Sequence, residues 1–295
     1  MTRQDRQTLA PALDASTGSV VTRSAGRIDY YCDARASGRP LLLLHSINAA
    51  PSAFEVKPLF DHYRKQRPVY APDLPGFGLS QRSNIKYSPR LYADALVEFC
   101  TEVFDDGVDA VALSTTAEFL ARAAHAAPGA FSSLAFISPT GLGERSPPSP
   151  RVSDRLERFF KLPVLSGGLY KVLTSRASIR YFLNLNFADG PPVEMIDYAY
   201  ETAHQPNARY APYRFLSMKL FTRDALESLY APLSQPFLLL YDTDPNVGFE
   251  KLPALLQAND LARAARIAPT RGLPHWEELE GTTDALDSFW GDVHD

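Results

Sequence analysis

The stretch Val108-Asp109-Ala110-Val111-Ala112-Leu113-Ser114-Thr115-Thr116 reads as a short buried strand that runs directly into a serine and then into a helix. Over Thr115–Ala127, helical spacing puts Ala117, Leu120, Ala121 and Ala124 on one face and pairs Glu118 with Arg122 as an outward i,i+4 couple. A tight strand-to-helix junction lifts a serine hydroxyl above the sheet and sets a helix N-terminus beside it. The plainer alternative is a serine that only caps a helix, a contribution of about 1 kcal/mol.

Outward from this junction, short β-rich runs alternate with helical patterns. Ser19–Thr22, Ile28–Cys32, Leu41–His45 and Val69–Pro72 precede a helix near Ser88–Phe104. Strand character returns at Pro236–Tyr241 and near Ala264–Ala268, and a last helix lies around Asp284–Trp290. The runs Leu41–Leu44 and Phe237–Tyr241 are apolar without alternation, as strands covered on both faces are. The expected fold is therefore α/β, a mostly parallel central sheet flanked by helices. Between Ser138 and about Leu233 the pattern turns helical and aromatic, over Leu156–Phe160, Gly168–Leu173, Ser178–Leu185, Val193–His204 and Tyr213–Leu220. Breakers such as Pro147-Pro148-Ser149-Pro150 and Gly190-Pro191-Pro192 separate these stretches. The division that follows is an N-terminal tail over 1–17, a core over 18–140 and 232–295, and an inserted helical cap over 141–231.

Composition narrows the function classes. With 45% hydrophobic and 22% charged residues the chain is an ordinary globular one, and a formal charge of −4 argues against nucleic-acid binding. No apolar run approaches the roughly 20 residues of a membrane span, and Met1 to Thr17 lacks a signal-peptide core, so a cytoplasmic protein is expected. Cys32 and Cys100 have no metal-ligand spacing and read as free thiols. No metal constellation or phosphate-cradling loop appears, and no cofactor is expected.

In an α/β sheet, ligands bind beyond the carboxyl ends of the strands, which directs attention to the polar residues there. Ala112-Leu113-Ser114-Thr115-Thr116 resembles the Gly-x-Ser-x-Gly nucleophile elbow of the α/β-hydrolase superfamily, with Ala112 and Thr116 in place of the glycines. His45-Ser46-Ile47-Asn48 is similar to its His-Gly oxyanion loop, with Ser46 for Gly. Asp73-Leu74-Pro75-Gly76-Phe77-Gly78-Leu79-Ser80 is similar to its Asp-x-Pro-Gly-x-Gly-x-Ser loop. In that family Asp73 and His45 would shape loops rather than move protons.

The resemblance implies a triad in the order Ser114, Asp244, His275, as nucleophile, acid and base. Asp244 lies in Asp242-Thr243-Asp244-Pro245 after a strand, with Asp242 as its rival. His275 lies in Gly272-Leu273-Pro274-His275-Trp276, which resembles a Gly-His loop with two residues inserted. The other histidines are poorly placed: His62 and His125 on surface-like helix segments, His204 in the cap, His294 in the tail. Backbone N–H groups of Ile47 and Thr115 would form the oxyanion hole. The implied activity is hydrolysis of a small carboxylic ester or related acyl substrate. C–C bond hydrolysis or lyase chemistry with the same triad, and ligand binding without catalysis, are the alternatives. The cap aromatics suit an apolar acyl or aromatic substrate, unless they only fill the cap core.

Overall fold

The computed structural model describes residues 9–160 and 162–294. Eight strands form one sheet: β1 Ser16–Thr22, β2 Gly26–Asp33, β3 Leu41–Leu44, β4 Val69–Pro72, β5 Val108–Leu113, β6 Phe131–Ile137, β7 Phe237–Tyr241 and β8 Ala262–Arg266. Their spatial order is β1-β2-β4-β3-β5-β6-β7-β8. β1 and β2 pair antiparallel, as do β2 and β4; every later pairing is parallel.

The central strands are buried on both faces because side chains alternate between two packed layers. Leu42 and Leu44 pack into one cluster with Phe99, Phe119 and Phe136, and Leu41 and Leu43 into another with Phe60, Val69 and Trp290. The covering helices are α1 Lys57–Tyr63, α2 Pro89–Val103, α3 Thr116–Ala126, α9 Leu252–Ala258 and α11 Leu279–His294, with a single helical turn, α10, at Pro274–Glu277. Between β6 and β7 lie α4 Pro150–Phe160, α5 Pro163–Leu173, α6 Arg176–Leu185, α7 Val193–Ala203 and α8 Tyr210–Leu216. Each overlaps one of the five expected stretches. The last ends earlier than its pattern, because Met218 adopts φ 56° and turns the chain away.

Three local expectations need correction. β6, Phe131–Ile137, was not among the expected strands: Ser132 and Ser133 precede its apolar part, Leu134–Ile137. Ser133 is nevertheless buried and donates to Asp109 Oδ1 at 2.6 Å, which satisfies its hydroxyl inside the sheet. The segment read as a tail is packed from at least Ala12 and Leu13, with Ala12 N–H donating to the Tyr31 hydroxyl at 2.9 Å, and β1 starts inside it. Glu118 does not face outward: it is buried, accepts from Thr140 Oγ1 and from Thr222 N–H at 2.7 Å, and Arg122 instead donates to Thr222 Oγ1 at 3.1 Å. The chain returning from the cap covers this second face of α3. Among the described residues no helix is long and apolar enough to cross a membrane.

Candidate active site

β5 ends at Leu113, α3 begins at Thr116, and Ser114 between them adopts φ 51°. A left-handed conformation costs a non-glycine residue about 1–2 kcal/mol, so neighbouring contacts must hold it in place. Ser114 N–H donates to the Ile137 carbonyl at 2.9 Å, and Ser114 and Thr115 carbonyls accept from Ala117 and Glu118 N–H groups at 3.1 Å each. Thr116, where the resemblance expects glycine, donates its hydroxyl to the His45 carbonyl at 2.7 Å and ties the helix start to the loop after β3. The half-buried Ser114 makes no side-chain hydrogen bond with a described residue, nor do the Thr115 and Ile47 N–H groups.

The 45–50 loop is braced from below by a residue that the sequence reading missed. Glu55, buried after the loop, accepts from Ser46 N–H at 2.8 Å and from Asn48 Nδ2 at 2.8 Å; Asn48 also donates to Ser46 Oγ at 2.9 Å. Burial pushes the Glu55 carboxyl up from its ordinary range, against the pull of these donors. The signal for it was a lone carboxylate inside the apolar run Ala53-Phe54-Glu55-Val56. Ser46 thus belongs to a bonded network.

His45 is fully buried. Its Nε2 accepts from Leu74 N–H at 2.9 Å, so the ring proton sits on Nδ1, which donates to the Ser46 carbonyl at 2.6 Å. Burial lowers its pKa to about 4. Asp73 accepts from Ala53 and Leu79 N–H groups at 2.8 Å each, and Gly78 leaves no room there for a side chain, since a Cβ would meet the carboxyl at 1.8 Å. Both residues shape loops.

On the acid side, the two candidate aspartates have separate environments. Burial would raise Asp242, but Thr270 N–H at 2.8 Å and the Arg266 guanidinium at 2.7 Å hold it below the ordinary range. Asp244 has no cationic partner. Burial pushes its carboxyl up to about 6, opposed by the N–H groups of Asn246 and Val247, both of which donate to Oδ1, at 2.7 and 3.1 Å. Gly272, at φ 103°, packs on Asp244, where a Cβ would lie 2.6 Å from Oδ2.

His275 lies three residues beyond that contact, inside α10, with no exposed surface. Its Nε2 stands 2.7 Å from the Glu55 carbonyl, which also accepts from Trp276 Nε1 at 2.7 Å. A carbonyl only accepts, so His275 Nε2 carries the proton and buried Nδ1, without a partner, carries the lone pair. A triad base requires the opposite: Nδ1–H toward the acid and a bare Nε2 toward the nucleophile. Burial lowers the His275 pKa to about 4 and keeps the ring neutral. No hydrogen bond joins Ser114, Asp244 and His275 among the described residues.

The remaining histidines lie elsewhere. His204 bonds the Tyr200 carbonyl of its own helix, His125 the Leu229 carbonyl, and His294 Asp109. Among the described residues no group of His, Cys, Asp and Glu is arranged to hold a metal ion. Between the 84–86 segment and the cap runs a cleft of about 870 Å³, whose walls include Phe160, Tyr210 and Tyr213. Tyr198 instead stacks on Phe54, while Tyr181 and Phe182 face solvent. The cap aromatics thus divide between cleft, packing and surface.

The sequence model of the alpha/beta hydrolase family matches residues 41–285. No curated protein matches. Among solved structures, the fold is similar to that of an N-formylmaleamic acid deformylase from Pseudomonas putida S16 (19% identity, 92% of this chain and 100% of that one, TM-score 0.69). It is also similar to a serine hydrolase involved in carbazole degradation (17%, 94% and 98%, 0.75) and to a thermophilic esterase from Thermogutta terrifontis (20%, 95% and 100%, 0.73). At these identities the likeness is one of fold.

Proposed function

This chain belongs to the alpha/beta hydrolase family, and on that premise we propose that it binds a small carboxylic ester or related acyl compound over Ser114 and hydrolyses it slowly. In this reading a water takes the Ser114 hydroxyl proton as Oγ adds to the acyl carbon and passes a proton to the departing alcohol; a second water then hydrolyses the acyl-serine, releasing the acid and restoring the Ser114 hydroxyl. The Thr115 and Ile47 N–H groups meet the developing oxyanion. No histidine takes the serine proton directly. A hydrolase that lacks one triad member keeps roughly 10³–10⁴-fold catalysis over water from oxyanion stabilisation and binding. The carrying observation is left-handed Ser114, whose hydroxyl, like the Thr115 and Ile47 N–H groups, has no hydrogen-bond partner among the described residues.

A second reading keeps the full triad, with Asp244 as acid and His275 as base. Its support is the chain order and the partnerless Nδ1 of His275. It requires His275 to leave the Glu55 carbonyl and to move its proton from Nε2 to Nδ1. C–C bond hydrolysis or lyase chemistry requires the same rearrangement.

A fluorophosphonate probe and p-nitrophenyl acetate separate these readings. Slow labelling of Ser114, absent in Ser114→Ala, together with turnover that survives His275→Gln in a folded sample, is the expected result. A loss of more than about 100-fold in His275→Gln supports the triad instead. A folded wild type that neither labels nor turns over leaves ligand binding without catalysis.

A further inference from the structure

Arg82 follows the Asp73–Ser80 loop and reaches under the cap. One of its terminal nitrogens, Nη2, donates to the Gly78 carbonyl and, at 3.3 Å, to Thr202 Oγ1 at the end of α7. Its Nε–H is buried and has no partner, and Nη1 makes no hydrogen bond with a described residue. No ion pair among the described residues includes it. The buried carboxyl whose field it feels, Asp73, accepts instead from Ala53 N–H, Leu79 N–H and the Tyr31 hydroxyl. Three tyrosines also surround it electrostatically, yet their hydroxyls donate to backbone carbonyls: Tyr87 to Ser83, Tyr170 to Ala208 and Tyr198 to Ala10.

A guanidinium withdrawn from water with an unpaired donor is costly, and a carboxylate is the partner that its planar fork fits. Beside Arg82 lies a small cavity of about 10 Å³, room for one water or one carboxylate oxygen. Its other walls include Ala49 and Ala50 of the loop that carries Ile47, Phe77, which packs edge-on against His45, and Tyr170 of the cap. The cavity and the Ser114 site therefore share the 45–50 loop.

We propose that Arg82 is the anchor for a carboxylate, so that the ligand of this protein is an acyl compound bearing a second, acidic group, such as the half-ester of a small dicarboxylic acid. The acyl end rests on the Ser114 reading above; the anionic end does not. Specificity follows from the chemistry of burial. A neutral ligand end would leave the guanidinium, which has no ion-pair partner among the described residues, without a counter-charge, whereas a carboxylate at the cavity supplies one.

Succinate and its dimethyl ester are suitable probes, compared by calorimetry on wild type, Arg82→Gln, Arg82→Lys and Ser114→Ala. Wild type and Ser114→Ala are expected to bind succinate at least tenfold more tightly than the diester. Arg82→Gln is expected to abolish that preference, and Arg82→Lys to restore part of it. Equal succinate affinity in wild type and folded Arg82→Gln overturns the proposal, as does a wild type without preference for the diacid. Should Arg82→Gln not fold, the Lys variant and the wild-type preference still decide. Failure of Ser114 to label leaves these results standing, so the two readings fail separately.

Discussion

The two halves of the site are built to different degrees. Around Ser114, β5, α3 and the 45–50 loop are cross-tied through Thr116 Oγ1, Glu55 and Asn48. On the opposite side, Asp244 accepts from the Asn246 and Val247 N–H groups, and His275 is bonded to the Glu55 carbonyl. The difference teaches that preorganised electrostatics and proton transfer are separable on this fold. The first depends on backbone geometry near one strand end, and the second on a side chain delivered from a distant loop. Glu55 links the halves in an unexpected sense, because its carboxyl braces the oxyanion loop while its carbonyl holds His275.

The strongest way to break this comparison is to supply the missing base. Leu273 is the first side chain after Gly272, which packs on Asp244, and it is half-buried. Leu273→His is expected to raise p-nitrophenyl acetate turnover by about 100-fold, the lower range of general-base contributions. The gain should vanish when Asp244→Asn is added, because Asp244 is the acid that would orient the new imidazole. An unchanged rate in a folded Leu273→His protein assigns the limit elsewhere, either to His275 acting after rearrangement or to the oxyanion site.

Glu55→Ala tests the brace. It leaves Ser46 N–H and the Asn48 amide without their acceptor, a cost of about 2 kcal/mol in a buried setting. Urea denaturation should register that loss, and fluorophosphonate labelling of Ser114 should slow as the 45–50 loop loosens. Stability lost with labelling unchanged would show that the oxyanion loop is held by other contacts.

Much of the frame was readable in the sequence. Leu41–Leu44, Phe237–Tyr241 and the Asp73–Ser80 loop stand out because uninterrupted apolar runs and paired glycines are local signals. β6 was not readable as a strand because two serines follow Phe131, of which the buried Ser133 finds its partners, Asp109 and Trp290, only in the fold. The partner of His275 was not readable for a related reason. Its spacing after the last strand suits a base, but Pro274 opens a helical turn there and the ring meets a carbonyl 220 residues earlier. The different settings of Asp242 and Asp244 were likewise not readable, because only the fold brings Arg266 onto Asp242.

Asp244 offers a pH-dependent test of the disengaged side. Its folded pKa, about 6, lies above the ordinary aspartate value of 3.8, so the native state holds its proton more firmly than the unfolded chain does. The stability this gives is fully present below about pH 4 and is lost as the pH rises through 6. Asp244→Asn keeps an oxygen for the Asn246 and Val247 N–H groups without the buried charge. Its unfolding free energy should match wild type near pH 4 and exceed it above pH 6, by an amount on the order of 1 kcal/mol after solvent screening, as read by urea denaturation. Identical pH profiles would mean that a cation, His275 included, already neutralises Asp244 in solution.

The smallest expected effect concerns the elbow. Ser114→Ala removes the hydroxyl but keeps a Cβ at φ 51°, whereas Ser114→Gly removes the hydroxyl and the crowding together. Because glycine adopts left-handed geometry without that steric cost, Ser114→Gly should be more stable than Ser114→Ala by about 1 kcal/mol, even though glycine loses more backbone entropy on folding. Both variants abolish labelling, so stability alone separates them in chemical denaturation. Equal stability would mean that the contacts around β5 and α3 hold no strain at Ser114, which would leave its left-handed turn without the constraint expected of a preorganised nucleophile.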